Sequence, residues 1–203
     1  MVRNMDYRLI IGLIIAHILV YITFDFSKVF WYIFTSTMLF LISYAIIHEK
    51  MEDEDTFIKY FFYGIVFGAL TFVLIFLGHF LIEIFHITYF EKQITKLYKI
   101  ASPTLWWHFI VLVLIIVPGE EIFWRGFVQK RLMNYFNPWT SILLASILYA
   151  SVHIYSGQFI LVLAALVAGI IFGALYMWRR SIPFVIIAHL TFDLLLLVIF
   201  PFR

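Results

Sequence analysis

Glu120, Glu121, Arg125, His153, His189 and Asp193 all stand inside long apolar stretches of the chain. An ionisable side chain within a bilayer costs roughly 2.5–3.5 kcal/mol on insertion scales, so several in one protein point to a functional site. Glu121 and Arg125 are four residues apart and therefore neighbours on a helix face, where the arginine can pair and orient the second carboxylate. Glu120 is left without that partner, and a carboxylate sheltered from water suits a general base. His189 and Asp193 repeat the four-residue spacing. Such a pair can bind a metal, fix an imidazole tautomer, or donate and relay protons toward a developing oxyanion. Pro118, just before the acidic pair, lacks a helix N–H and is expected to kink the chain and open a water pocket there.

The elements that hold these residues must be membrane helices. The chain has 203 residues, 65% of them hydrophobic and only 13% charged, which excludes a soluble globule, whose usual values are about 45–50% and about 25%. Lys and Arg (14) nearly balance Asp and Glu (12) and are dispersed, so there is no nucleic-acid footprint. With no cysteine, disulfides, thiolate nucleophiles and cysteine-based zinc sites are ruled out. The first apolar run follows Arg3 and Arg8 but lacks a small-residue cleavage pattern, which predicts a retained helix rather than a signal peptide.

Apolar runs of about 17–25 residues mark the spans. They predict an all-α polytopic bundle of seven membrane-spanning helices: Leu9–Phe24, Val29–Ile47, Tyr60–His86, about Thr104–Met133, Pro138–Tyr155, Phe159–Trp178 and Ile182–Phe200. The acidic stretch from Glu49 to Asp55 is expected to be a solvated loop, and Thr88–Ser102 to lie at the interface as a loop or short surface helix. Counting Arg3, Arg8, Lys50, Lys59, Arg125, Lys130, Arg131, Arg179 and Arg180 on one side against Lys28, Lys92, Lys96, Lys99 and Arg203 on the other puts the N-terminus in the cytoplasm. The expectation is one integral multi-pass domain, 1–203, in the plasma membrane, with variable helices over 1–103 and catalytic helices over 104–203.

In an antiparallel hairpin turning near Asn137-Pro138, Glu120 and His153 lie at equal distance from the turn, about 25 Å along each helix at ~1.5 Å per residue. They are therefore expected to face each other, with Tyr149 one turn before His153 bonding it or lining the same pocket. The same counting leaves His189 and Asp193 roughly 10–15 Å from the level of His153. Helix tilt, or a break at Gly157, Gly169 or Gly173, is expected to close that gap.

Glu120-Glu121-x-x-x-Arg125, then Tyr149-x-x-x-His153, then His189-x-x-x-Asp193 together resemble the three-part signature of the CAAX protease and bacteriocin-processing (CPBP, or Abi) family of intramembrane endopeptidases, which includes the type II CAAX prenyl endopeptidases. The likeness covers about Trp106 to Phe200. It implies that Glu120 and His153 activate a water, that His189 and Asp193 stabilise the oxyanion, and that Glu121 and Arg125 support them. Tyr149 stands where phenylalanine is usual and Asp193 where asparagine is common; a carboxylate there is the better cation ligand. A divalent metal such as zinc is left open, with Glu120, His153, His189 and Asp193 as its ligands if one is present. The implied partners are the lipid bilayer and a membrane-associated peptide or protein substrate of CAAX, leader or signal type.

Two rival functions keep the same residues. A transporter or proton-conducting protein also buries carboxylates and histidines, although no transporter-type internal repeat is visible. A non-catalytic membrane immunity or scaffold protein would retain them as structure. Elsewhere, His17, His48, His79, His86 and His108 read as interfacial or packing residues, and Trp31, Trp106, Trp107, Trp139 and Trp178 as interfacial belts. Ser141, Ser146 and Ser151 lack a nucleophile elbow or a lysine partner. No His-Glu-x-x-His motif is present, and Gly169 with Gly173 suits close helix packing.

Overall fold

A computed structural model describes residues 6–54 and 56–202; Arg3, Asp55 and Arg203 lie outside the described residues. Among the described residues, seven helices are long and apolar enough to cross a membrane, and they coincide with the predicted spans to within a few residues. In chain order these are α1 (Tyr7–Asp25), α2 (Phe30–His48) and α3 (Phe57–Ile84), then after a shorter α4 (Thr88–Ala101), α5 (Trp106–Leu132), α6 (Pro138–Val152), α7 (Phe159–Arg179) and α8 (Ile182–Leu194, continued as a π-helix to Ile199). The protein is an integral, multi-pass membrane protein. Large apolar side chains such as Ile58, Leu114 and Trp106 remain exposed around the bundle, as suits helices whose outer faces meet lipid.

The starts of the helices follow from the sequence. The Asp6 carboxylate accepts the Leu9 N–H at 3.1 Å, Asn137 accepts from Thr140 at 2.9 Å ahead of Pro138, and Ser181 accepts from Phe184 at 3.3 Å ahead of Pro183. In each case a short polar side chain satisfies an orphan N–H of the first turn.

The helix continues through Pro118, and its geometry changes on either side of it. The helix widens to π geometry over Leu112–Ile116, returns to α over Val117–Glu121, and is π again over Ile122–Gln129. Wider turns accommodate a residue that has no N–H to give, and π segments recur at functional sites.

Two apolar clusters organise the bundle. One joins α1, α2, α5 and α6 through residues such as Leu41, Phe123, Phe127 and Val152. The other joins α3, α7 and α8 through Phe172, Tyr176, Phe184 and Ala188. Close approaches set their spacing. A Cβ at Gly169 would meet Ser146 at 3.0 Å, and one at Gly173 would meet Gln129 Oε1 at 2.8 Å, so these glycines pack α7 on α6 and α5 within an unbroken helix. Gly64 and Gly68 do the same for α3 on α8: a Cβ at Gly64 would meet Ile187 at 2.6 Å, and one at Gly68 would strike the Ala188 carbonyl and Thr191. Because that carbonyl is backbone, Gly68→Ala should destabilise the protein by about 1–3 kcal/mol through overpacking, despite a gain of up to ~1 kcal/mol in helix propensity. A melting temperature in detergent equal to the wild type's would show that α3 gives way freely.

The acidic loop after α2 exposes Lys50, Asp53 and Glu54 to solvent as expected, but it is also held in place. Lys130 lies 3.3 Å from Glu49 and 3.2 Å from Glu52, Arg131 lies 2.7 Å from Asp6 and 3.3 Å from Glu49, and Ser181 donates to Asp53 at 2.8 Å. Backbone bonds Glu54 N–H to Arg180 O and Ile182 N–H to Glu52 O stitch the loop to the α7–α8 turn. The sequence shows no sign of this tethering because the cationic partners lie some 80 to 130 residues further along the chain.

Burial pushes the Glu52 carboxyl up, but hydrogen bonds from Tyr176 and Lys130 and the nearby Lys130 and Arg180 charges outweigh it, and the net shift is downward. A depressed carboxyl contributes stability above its ordinary range and loses it as pH falls through the folded value. Wild type should therefore melt higher than Glu52→Gln at neutral pH, with the two converging on acidification. Parallel melting curves from neutral to acid pH would contradict this.

Candidate active site

Glu120 lies near the middle of α5, roughly 20 Å from either end at ~1.5 Å per residue. Its neighbours Glu121 and Arg125 are buried with it. Arg125 Nη1 donates to Glu121 Oε1 at 2.7 Å, the i,i+4 pair expected from the spacing. The guanidinium also sits 5.0 Å from the Tyr149 ring centroid and 5.5 Å from that of Phe172, so it bridges the two apolar clusters by cation–π contact.

Helix α8 brings the third motif onto the first. The same Glu121 oxygen lies 2.6 Å from His189 Nδ1, so this carboxylate holds both the arginine and the imidazole. Spacing along α5 shows the arginine contact but cannot show a partner 68 residues away. With Nδ1 committed, His189 Nε2 lies 3.6 Å from Glu120 Oε2 and 3.6 Å from Asp193 Oδ1. Phe172 stacks on the ring with centroids 4.8 Å apart and fixes its plane.

Tyr149, rather than His153, reaches Glu120. Its hydroxyl donates to Glu120 Oε2 at 3.3 Å. His153, one turn further on, bonds the Tyr149 carbonyl through Nδ1 at 2.9 Å and lies edge-on to the tyrosine ring. It lines the same cavity as Glu120 without a direct bond to it. Glu120 and His153 thus share one cavity, as the hairpin counting expects, with the long Tyr149 side chain bridging the turn between them. The chain breaks at Gly157, whose φ of +67° ends the short 3-10 turn after α6, while Gly169 and Gly173 lie in continuous helix.

Glu120, Tyr149, His153, His189 and Asp193 open together onto one cavity of ≈ 530 Å³, otherwise almost wholly apolar. That volume lies within the usual range for ligand sites, roughly 300–1,000 Å³. Trp31 is a wall of this cavity, buried and stacked on His108 at 4.5 Å, so it is not an interfacial belt residue. Trp106, Trp139 and Trp178 are exposed as expected.

His17, His48, His108, Ser141 and Ser146 have structural partners, while His79 lines the far wall of the cavity and pairs with Glu83 at 3.3 Å. His108 Nδ1 accepts the backbone N–H groups of Thr104 and Leu105, His17 bonds Tyr155 and Ser151, and His48 bonds the Tyr44 carbonyl. Ser141 and Ser146 donate to carbonyls of their own helix. Among the described residues, no group of three or more His, Asp or Glu side chains is arranged as a metal site, so Glu120, His153, His189 and Asp193 do not stand as a preformed ligand set.

No curated protein and no solved structure matches this chain. Residues 102–195 match the family described as type II CAAX prenyl endopeptidase, Rce1-like. The match includes Glu120-Glu121-x-x-x-Arg125, Tyr149-x-x-x-His153 and His189-x-x-x-Asp193, so the segment that carries all three motifs is similar to the Rce1-like type II CAAX prenyl endopeptidases, consistent with the wider CAAX protease and bacteriocin-processing family.

Proposed function

We propose that this protein is an intramembrane endopeptidase that hydrolyses a peptide bond of a membrane-associated polypeptide with a water activated by Glu120. The observation that carries this reading is the convergence of Glu120, His153, His189 and Asp193 on one apolar cavity within the membrane helices. Glu120 takes a proton from water as the oxygen attacks the scissile carbonyl carbon, and His153 Nε2 orients that water. His189 Nε2, its ring set by Glu121 at Nδ1 and by Asp193, donates to the oxyanion as it forms. When the tetrahedral intermediate collapses, the C–N bond breaks and the proton held by Glu120 passes to the leaving amine.

The test is cleavage of a library of quenched, membrane-anchored peptides by the purified protein, with and without chelator. Cleavage that survives chelation is expected. Cleavage lost on chelation would overturn a mechanism of side chains and water and favour a divalent ion such as zinc. Proton or solute flux in proteoliposomes with no peptide cut would favour a transporter.

Tyr149→Phe provides a graded check on Glu120. The lost hydroxyl bond is long at 3.3 Å, and a net hydrogen bond contributes about 0.5–1.5 kcal/mol. The variant should lose a few-fold to about tenfold in kcat/KM and keep its fold. A loss as large as that from changing Glu120 would mean that the hydroxyl takes part in the chemistry.

A further inference from the structure

The cavity belongs to one end of the bundle. Its walls come from the end of α1 (Phe24), the start of α2 (Phe30 to Phe34), the last turns of α3 (Leu74 to Ile82), α4, the first half of α5 down to Glu120, the first half of α7 and the second half of α8. Because successive helices alternate in direction, all of these stretches lie on the side of the 85–105 and 156–158 connections. The cavity is not closed off within this half: Leu74, Leu163 and Val167 of its lining remain exposed on α3 and α7. Helix α4 forms part of its roof, with Tyr98 donating to the Leu196 carbonyl at 2.7 Å and Gln93 accepting the Ile160 N–H at 2.9 Å.

Beyond Glu120 the opposite direction is sealed. Phe123 through Gln129 are all buried, and Gln129 donates to the Gly173 carbonyl at 2.8 Å. Past them, Lys130 and Arg131 are locked to Asp6, Glu49 and Glu52.

The charges of the two ends differ in the same sense. The sealed end carries Arg8, Lys50, Lys59, Lys130, Arg131 and the Arg179-Arg180 pair, and the open end Lys28, Lys92, Lys96 and Lys99. Arg125 is buried at the site and leaves this tally. Juxtamembrane lysine and arginine accumulate on the cytoplasmic side.

We infer that the catalytic cavity opens to the non-cytoplasmic side of the membrane and takes an apolar stretch of an exported or membrane-inserted polypeptide from there. This rests on the endopeptidase reading for its chemistry, and on packing and charge for its sidedness. A translocation or insertion step must therefore supply the substrate. A lipid-modified C-terminus displayed in the cytoplasm, the substrate type that the family description suggests, would meet the sealed end.

The chain has no cysteine, so single introduced thiols report sidedness cleanly. In intact cells a membrane-impermeant maleimide should label Lys96→Cys on α4 and leave Lys59→Cys unlabelled until the membrane is permeabilised; the reverse pattern overturns the inference. A third variant, Ala164→Cys, places a thiol on the cavity wall. An internally quenched, leucine-rich peptide with a lysine tail, added from outside, should slow its labelling; unchanged labelling would overturn the cavity as the entry route. If the peptide protects the thiol but is never cut by the cysteine-free protein, the peptidase reading fails while the sidedness stands. If it is cut only when enclosed on the cytoplasmic side of proteoliposomes, the peptidase reading stands and the inference fails.

Discussion

Glu120→Gln should leave the bundle folded and remove hydrolysis. The amide has the size of the carboxylate and keeps an oxygen for the Tyr149 hydroxyl, so the 3.3 Å contact can persist. Glu120 is 3.6 Å from His189 and is not the partner of Arg125, whose donor goes to Glu121. Removing the Glu120 charge therefore leaves neither the arginine nor the imidazole without its main acceptor. What disappears is proton affinity at the point where water must be deprotonated, and general-base contributions are typically about 10²- to 10⁴-fold. The measurement is kcat/KM on a cleaved peptide together with the melting temperature. A variant as stable and as active as the wild type would remove Glu120 from the mechanism. One that is inactive because it is unfolded would make Glu120 structural.

Arg125→Met should do the opposite, acting first on the fold. The arginine is 2% exposed and bonds a carboxylate that is fully buried. Breaking a buried pair by removing one partner costs about 3–5 kcal/mol, because the other charge stays behind uncompensated. Here that charge is on Glu121, which also holds His189 Nδ1 at 2.6 Å, so the imidazole loses its fixed orientation too. Arg125→Lys should rescue little, since a compact ammonium cannot span the Tyr149 and Phe172 faces as a planar guanidinium does. Adding Glu121→Gln to Arg125→Met should recover part of the stability by neutralising the stranded carboxylate, but not the activity. Chemical denaturation of the two single variants and the double, read as a double-mutant cycle, checks this. Additive losses would show that the two side chains do not act as a pair.

The N-terminal helices contribute to the site although they carry none of its motifs. Helix α3 meets α8 at Gly64 and Gly68, which sets the position of the helix bearing His189. Helix α2 supplies Trp31 and Phe34 to the cavity wall. In the sequence these glycines are inconspicuous, because the collision a Cβ would make is with residues more than a hundred positions away.

The seven spans, the Glu121–Arg125 pair and the candidate polar residues were legible in the chain, because each depends on local quantities: length of an apolar run, helical spacing, and the cost of a charge in hydrocarbon. Their joint placement was not. Counting residues put Glu120 level with His153 but left His189 a layer away, and only packing closes that layer, setting Glu120 3.6 Å from His189 and within reach of the Tyr149 hydroxyl. The π turns of α5, the break at Gly157 and the close approach of α3 to α8 arise from side chains that meet only after the helices assemble. The same holds for the second role of Glu121, the tethering of the acidic loop, and the end of the bundle at which the cavity opens: each is a relation between distant segments, which no local periodicity encodes and which only the tertiary structure decides.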